Sequence, residues 1–530
     1  MLNKSSISSY YRTAVLCALL MFSFQSFAQF DISWGEVQRK RGQLLYILPR
    51  NQGEFFALRW SGGQILGHYS VSRHVDNELN NIGRISMIAD NSIAKFKGAH
   101  IFDDQFAVFL TDRKENKNIF YLQYYSDSLE VEGESIKLAE YGLEGRGGKG
   151  DFTFKLSPDG KYLGVIWLIP GKKENSHVYG FKIYNSDLEL MNEGEYKIPF
   201  SADLTYIHEH YVSNNAGYFL CMTEYDRKPN LFNRENTIDK KLHIFNLAED
   251  IGLQNYQLQL EGKWIESMAL HAYSDSLFTL TGIYGKNNEE GVSGLFYKTV
   301  NLLNEDVLRE GQKEFDKEFI TKDWSQRAID RTERRRRSNR TEPQLYNYVM
   351  RDVLFREDGS MVCTLEQYFV QMRSSPDMRT AQGPSVYYYY YNDIVAYKID
   401  TTGEFDWIVK IPKYQVSMND GGPYSGYKSF IHQDDLFFVF NDHIRNYDEN
   451  GVFIDSSRIH MASTTKRRNA VAEVRLNLEN GEVDRRTFLS QEENTTLVVP
   501  KLFNENRRHR EMILYSIARS RERIGILKLE

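Results

Sequence analysis

The 530-residue chain is mildly acidic, with a formal net charge of −6, and it carries 34 Tyr and 32 Phe against 11 Pro. A general nucleic-acid binder is excluded, because phosphate contacts need a basic footprint. Short runs of Val, Ile, Phe and Tyr bounded by Asp, Asn and Gly, with few stretches of helical period, predict an all-β protein.

In chain order, residues 1–28 read as a secretory signal. Lys4 and Arg12 make its positive start, and Thr13 to Phe24 form an apolar stretch too short to span a bilayer. Ser26 and Ala28 are the small residues before a cleavage site at Gln29. Cys17 lies inside the apolar stretch and makes a poor lipid-attachment site. No later run approaches about 18 apolar residues, so the expectation is an exported, soluble chain, periplasmic or extracellular, with no transmembrane segment.

A four-strand unit then recurs, clearest from Asp151 to Ile198: a strand, an Asp-Gly turn, a very apolar strand, a Tyr/Phe-rich strand and a polar closing strand. With the strands called a, b, c and d, the b strand returns as "EFFALRW", "QFAVFLTD", "KYLGVIWL", "GYFLCMTEY", "LFTLTGIYG", "MVCTLEQYF", "LFFVFND" and "EMILYSIA". A base period of roughly 55 residues holding four strands predicts a β-propeller. Eight blades are favoured, with seven as the alternative. The last unit supplies only a, b and c, and Phe30 to Gln38 offers the strand that closes the ring. Cys221 and Cys363 fall two blades apart and read as small buried hydrophobes rather than a disulfide.

The stretches "SPDGKYLGVIW" and "YKIDTTGEFDWIVKIP" resemble the Trp-Asp-repeat-like and quinoprotein-like propellers of exported bacterial proteins. Residues 366–442 are similar to an uncharacterised family of secreted bacterial propeller-like proteins, a resemblance that implies the fold and brings no activity with it. Regular Trp-Asp dipeptides are missing, so the hydrogen-bond network of eukaryotic-type repeats is not implied.

The long insertions all fall in b–c and d–a connections, which share one face: 225–240, 370–392, 442–469 and 311–343. Loops on a rigid scaffold carry function, so this face over units four to seven is the expected binding surface, unless the insertions are neutral decoration. Insertion 311–343 reads as partly helical, with Phe315, Phe319, Trp324 and Ile329 at apolar positions. Arg334, Arg335, Arg336 and Arg337 crowd its end, either as a site for an acidic ligand or as a solvated helix terminus. The run Tyr387, Tyr388, Tyr389, Tyr390 and Tyr391, with Glu366 beside it, is either a packed hairpin or a binding platform. In extended chain Tyr387, Tyr389 and Tyr391 face one way and Tyr388 and Tyr390 the other.

Histidines recur near the ends of a strands at His100, His208, His210, His271 and His432. His208 and His210 alternate as a metal pair could, although turn or channel packing explains them as well. No nucleophile elbow, zinc-protease helix, P-loop or calcium loop occurs, and no cofactor is implied. The function expected from these residues is a non-enzymatic exported propeller binding a protein or glycan through its long-loop face. A propeller glycoside hydrolase or polysaccharide lyase, and a structural subunit of an envelope assembly, are the alternatives.

Overall fold

The b strands are apolar at almost every position because neighbouring blades cover both of their faces. Glu54–Gly62 buries Phe55, Phe56, Ala57 and Leu58 completely, and every residue of Asp435–His443 is buried. A computed structural model describes residues 30–529 except 63–66, 103, 144–149, 170–175, 229–239, 249–251, 275, 287–290, 323–344, 357, 375–384, 456–458 and 490–495. Within them each expected b strand lies second in an antiparallel a-b-c-d sheet, and eight such sheets form a ring. The blades span 43–85, 95–142, 151–197, 205–258, 263–314, 348–418 and 428–487, with the eighth built from 497–528 and the N-terminal strands.

Adjacent blades share their cores. Phe219 and Ile244 of blade 4 pack with Leu270, Phe278 and Phe296 of blade 5. Ile283 and Leu295 of blade 5 pack with Leu365, Val395 and Tyr397 of blade 6. Each fully buried Phe, Leu or Ile is worth roughly 1.5–3 kcal/mol, so a ring of such seams is held mainly by apolar burial. Cys221 and Cys363 are both free and buried within these seams, in blades 4 and 6.

Closure follows the expected route. Ile32–Trp34 pairs with Arg521–Lys528 in the register Ile32↔Leu527, Ser33↔Ile526 and Trp34↔Gly525, and Gln38–Arg39 continues along the same strand. Gly525 is needed there because the Trp34 ring lies across it, leaving only 2.7 Å to a built Cβ. The Arg523 guanidinium lies over the same indole at 4.0 Å. The seam to blade 1 is pinned by the buried Arg59–Glu522 pair at 3.0 Å, with Tyr515 donating to the same carboxylate at 2.6 Å.

Blade 6 departs from the others. Its a strand is Tyr348–Phe355, but its b, c and d strands are Met361–Ser374, Ser385–Ile399 and Phe405–Met418, with 14, 15 and 14 residues. The stretch 370–392, expected as a loop, is therefore largely strand, and residues 375–384 fall outside the described residues. The reason is propensity: aromatic and β-branched residues on both arms pair in the register Phe369↔Tyr390, Val370↔Tyr389 and Gln371↔Tyr388. The expected insertion 311–343 also begins inside a strand, Asp306–Glu314, and continues as the helix Lys317–Thr321. Asp316 caps that helix by accepting from the Phe319 N–H at 2.7 Å. Residues 323–344, including Trp324, Ile329 and Arg334 to Arg337, lie outside the described residues.

Candidate functional site

Above the level where strand a ends, the other three strands of blade 6 continue as a three-stranded tower on the long-loop face. Pairing divides the tyrosines as their alternation predicts. Tyr387, Tyr389 and Tyr391 stand with Met372, Val370 and Tyr368, while Tyr388 and Tyr390 stand with Gln371 and Phe369. On the second side Phe369 stacks on Tyr390 at 4.4 Å, and the Arg373 guanidinium lies over Tyr388 at 4.8 Å. The first side is packed at its base, where Tyr368 and Tyr391 meet at 4.8 Å. Higher up it opens to solvent: Val370, Met372 and Tyr387 are 44%, 56% and 44% exposed. The run is thus both a packed hairpin and an exposed apolar surface, the two divided along its length.

Beneath the tower lies a buried charge cluster. Glu366 is 1% exposed and presents nothing to a ligand from outside. Arg351 donates to one of its oxygens through Nε at 2.9 Å and Nη2 at 2.6 Å, and Lys413 donates to the other at 2.8 Å. Lys413 also donates to the Tyr391 carbonyl at 2.9 Å and to Gln415 Oε1 at 3.2 Å. Burial lowers the Lys413 pKa, and Glu366 opposes that shift. Gln415 reaches on to the Asn441 carbonyl of blade 7 at 2.8 Å. Lys501 of blade 8 donates to the Tyr391 hydroxyl at 2.8 Å and to the Gly422 carbonyl at 2.9 Å. Gly422, at φ +68°, lets its loop pass so near the Tyr391 ring that a Cβ would stand 2.6 Å from it. Three blades therefore grip the tower's base, and Glu366 serves to hold the surface above it.

The a strands of blades 3 to 7 line a central cavity of about 1050 Å³, with Lys155, Glu209, His271, Arg351 and Lys428 on its wall. Burial pushes the Glu209 carboxyl up to about 7, against Lys155 and the backbone N–H of Leu270. Burial also pulls His210 and His271 down to about 4. His208 and His210 both line this cavity, and each ring has a hydrogen-bond partner of its own. A bulge between Ile207 and Glu209 breaks the alternation. His208 shares a hydrogen bond with Thr223 Oγ1 at 2.7 Å and His210 with the Tyr218 hydroxyl at 2.6 Å, partners on opposite faces of the b strand. Among the described residues no group of three His, Cys, Asp or Glu is placed to hold a metal ion. Arg334 to Arg337 lie outside the described residues. Glu209, Lys413 and Lys501 were not singled out from the sequence, which carries no mark of their partners on other strands and blades.

These features define the chain as an eight-bladed β-propeller closed by its N-terminal strand. No family model and no curated protein matches the sequence. Among solved structures it is similar to the Dos1 propeller at 8% identity and a TM-score of 0.41, covering 94% of this chain and 95% of that one. It is also similar to the WD40 domain of SCAP from fission yeast, at 8% identity and a TM-score of 0.36, covering 96% and 97%. The polysaccharide lyase Uly1 is matched at 10% identity and 0.33, covering 84% and 93%. These likenesses concern the fold alone. No helix among the described residues is long and apolar enough to cross a membrane.

Proposed function

We propose that this chain is an exported, non-enzymatic binding propeller that holds a protein or glycan on the long-loop face, against the Tyr387 side of the blade 6 tower. One observation carries the reading: three strands of one blade extend to 14 or 15 residues and carry Val370, Met372 and Tyr387 out of the core into solvent. Tyr supplies large contact area at low entropic cost, and a gripped base keeps that surface preorganised. The N-terminal signal and the resemblance to secreted propellers support export. Immobilised protein probed with envelope extract and a glycan array tests the reading. Retention of a ligand that is lost in a Tyr387→Ser/Tyr389→Ser variant of unchanged melting temperature is the expected result. Equal retention by the variant contradicts it.

A hydrolase or lyase is the second reading, favoured by a carboxyl held near neutrality on the wall of the central cavity. In that case Glu209→Gln abolishes turnover of an extracellular polysaccharide while the tyrosine variant keeps it.

A further inference from the structure

The free edge of the tower is a site in its own right. Tyr387 turns both backbone groups toward strand d, donating to Asn419 Oδ1 and accepting from the Asn419 N–H, each at 2.9 Å. Alternation then turns Tyr388 and Tyr390 toward strand b, so their partners Gln371 and Phe369 spend their backbone groups inward. Tyr368, Val370 and Met372 are left facing outward. The Tyr368 N–H is taken by the Asn347 carbonyl at 2.8 Å. There the chain leaves the edge: Asn347 adopts φ +59°, and the Leu345 carbonyl accepts from Val292 in blade 5 at 2.7 Å. Among the described residues no strand pairs with Val370 or Met372 on this side.

An edge of this kind is a template for another strand, and proteins usually block it with Lys, Pro, a bulge or an inward charge. From Tyr368 to Met372 the sequence carries no charge and no proline. The register also fits a two-fold axis. If Gln371 lies on the axis, Val370 of one copy stands opposite Met372 of the other, and Phe369 stands opposite Arg373. Apolar meets apolar, a ring meets a guanidinium, and no like charges face each other. Outward hydrogen bonds from Val370 and Met372 are the ones such a pair exchanges. We infer that the blade 6 tower edge pairs antiparallel with the same edge of a second copy of this chain, centred on Gln371, to give one continuous six-stranded sheet. The exposed Val370 and Met372 side chains are partly covered by this pairing. The Tyr387 column, one strand in, stays open on both copies, so the dimer presents the proposed binding surface twice.

Disulfide trapping tests this without any ligand. In the proposed register position 371 faces itself in a non-hydrogen-bonded pair, with Cα atoms about 4.5 Å apart, within disulfide range. Gln371→Cys under mild oxidation is expected to form covalent dimer roughly tenfold faster, or more, than Ser128→Cys on the exposed turn of blade 2. By sedimentation the wild type is expected to dimerise, and Met372→Pro, which removes an outward N–H at an edge position, to be monomeric at an unchanged melting temperature. Should Met372→Pro fail to fold, Val370→Lys supplies the same test through charge repulsion across the axis. Gln371→Cys crosslinking no faster than Ser128→Cys, or a wild type that stays monomeric to its solubility limit, overturns the inference. An edge filled by a foreign peptide or by residues 323–344 gives that same monomeric result. Failure of the ligand-retention experiment leaves the crosslink unaffected, so the two readings fall separately.

Discussion

Glu209 shows how one side chain reports on its surroundings. Its carboxyl is raised to about 7 by burial, so the folded protein holds a proton there that the unfolded chain releases from about 4.5 upward. Its stabilising contribution is therefore complete below the unfolded value and is lost as pH rises through about 7. Histidines act in the opposite sense: His100, His210 and His271 are pulled down to about 4 by burial, so stability is lost as pH falls below about 6.5. Subtracting a Glu209→Gln variant separates the two effects. From pH 4.5 to 7 the wild type is expected to lose up to about 3 kcal/mol relative to the variant, less whatever water in the cavity screens. Denaturant titrations across that range check it, and parallel curves for the two proteins would place the carboxyl in ordinary solvent.

At the scale of the element, the tower is a strand extension standing on a buried ionic base. Lys413 and Glu366 expose 0% and 2% of their side chains, so removing Lys413 takes away one of the two cations that compensate a buried carboxylate. Lys413→Ala is expected to cost about 3–5 kcal/mol, tempered by Arg351, which still holds Glu366. Denaturant unfolding measures this, and a loss under about 1 kcal/mol contradicts a base held by that pair. Much of this element was legible in the sequence. The Tyr run falls in the b–c insertion of unit six, and its two-sided alternation survives in the register Tyr389↔Val370 and Tyr388↔Gln371. Its length was not legible, because a spacing between repeats does not say whether an insertion coils or pairs. Nor was the base. Lys413 and Gln415 read as polar positions in an ordinary d strand, and Lys501 lies 110 residues from the Tyr391 hydroxyl that it meets across the ring. The bulge that gives His208 and His210 separate partners, Thr223 and Tyr218, is a feature that alternation cannot foresee.

At the scale of the whole molecule, radial repetition explains why the architecture was readable and the function was not. Each blade repeats one apolar b strand and buries it between neighbours, so eight copies of that signal are visible along the chain. Closure by the N-terminal strand was equally legible, since a last unit lacking strand d needs one supplied from elsewhere. A binding surface is instead the sum of loops and edges from different blades, and it appears only once the ring has set their positions. In the proposed function, ligand is held at Tyr387 on the tower rather than in the cavity. Mass-spectrometric mapping of tyrosine iodination, with and without a retained ligand, distinguishes the two positions. Tyr387 and Tyr206, the second residue of the blade 4 a strand Thr205–Val212, are 44% and 58% exposed and should both label in the free protein. With ligand bound, Tyr387 is expected to be protected and Tyr206 to label as before; protection of Tyr206, whose ring meets the cavity-lining His208 at 5.2 Å, with Tyr387 still labelled would overturn the proposed function and place the ligand at the cavity's blade 4 wall.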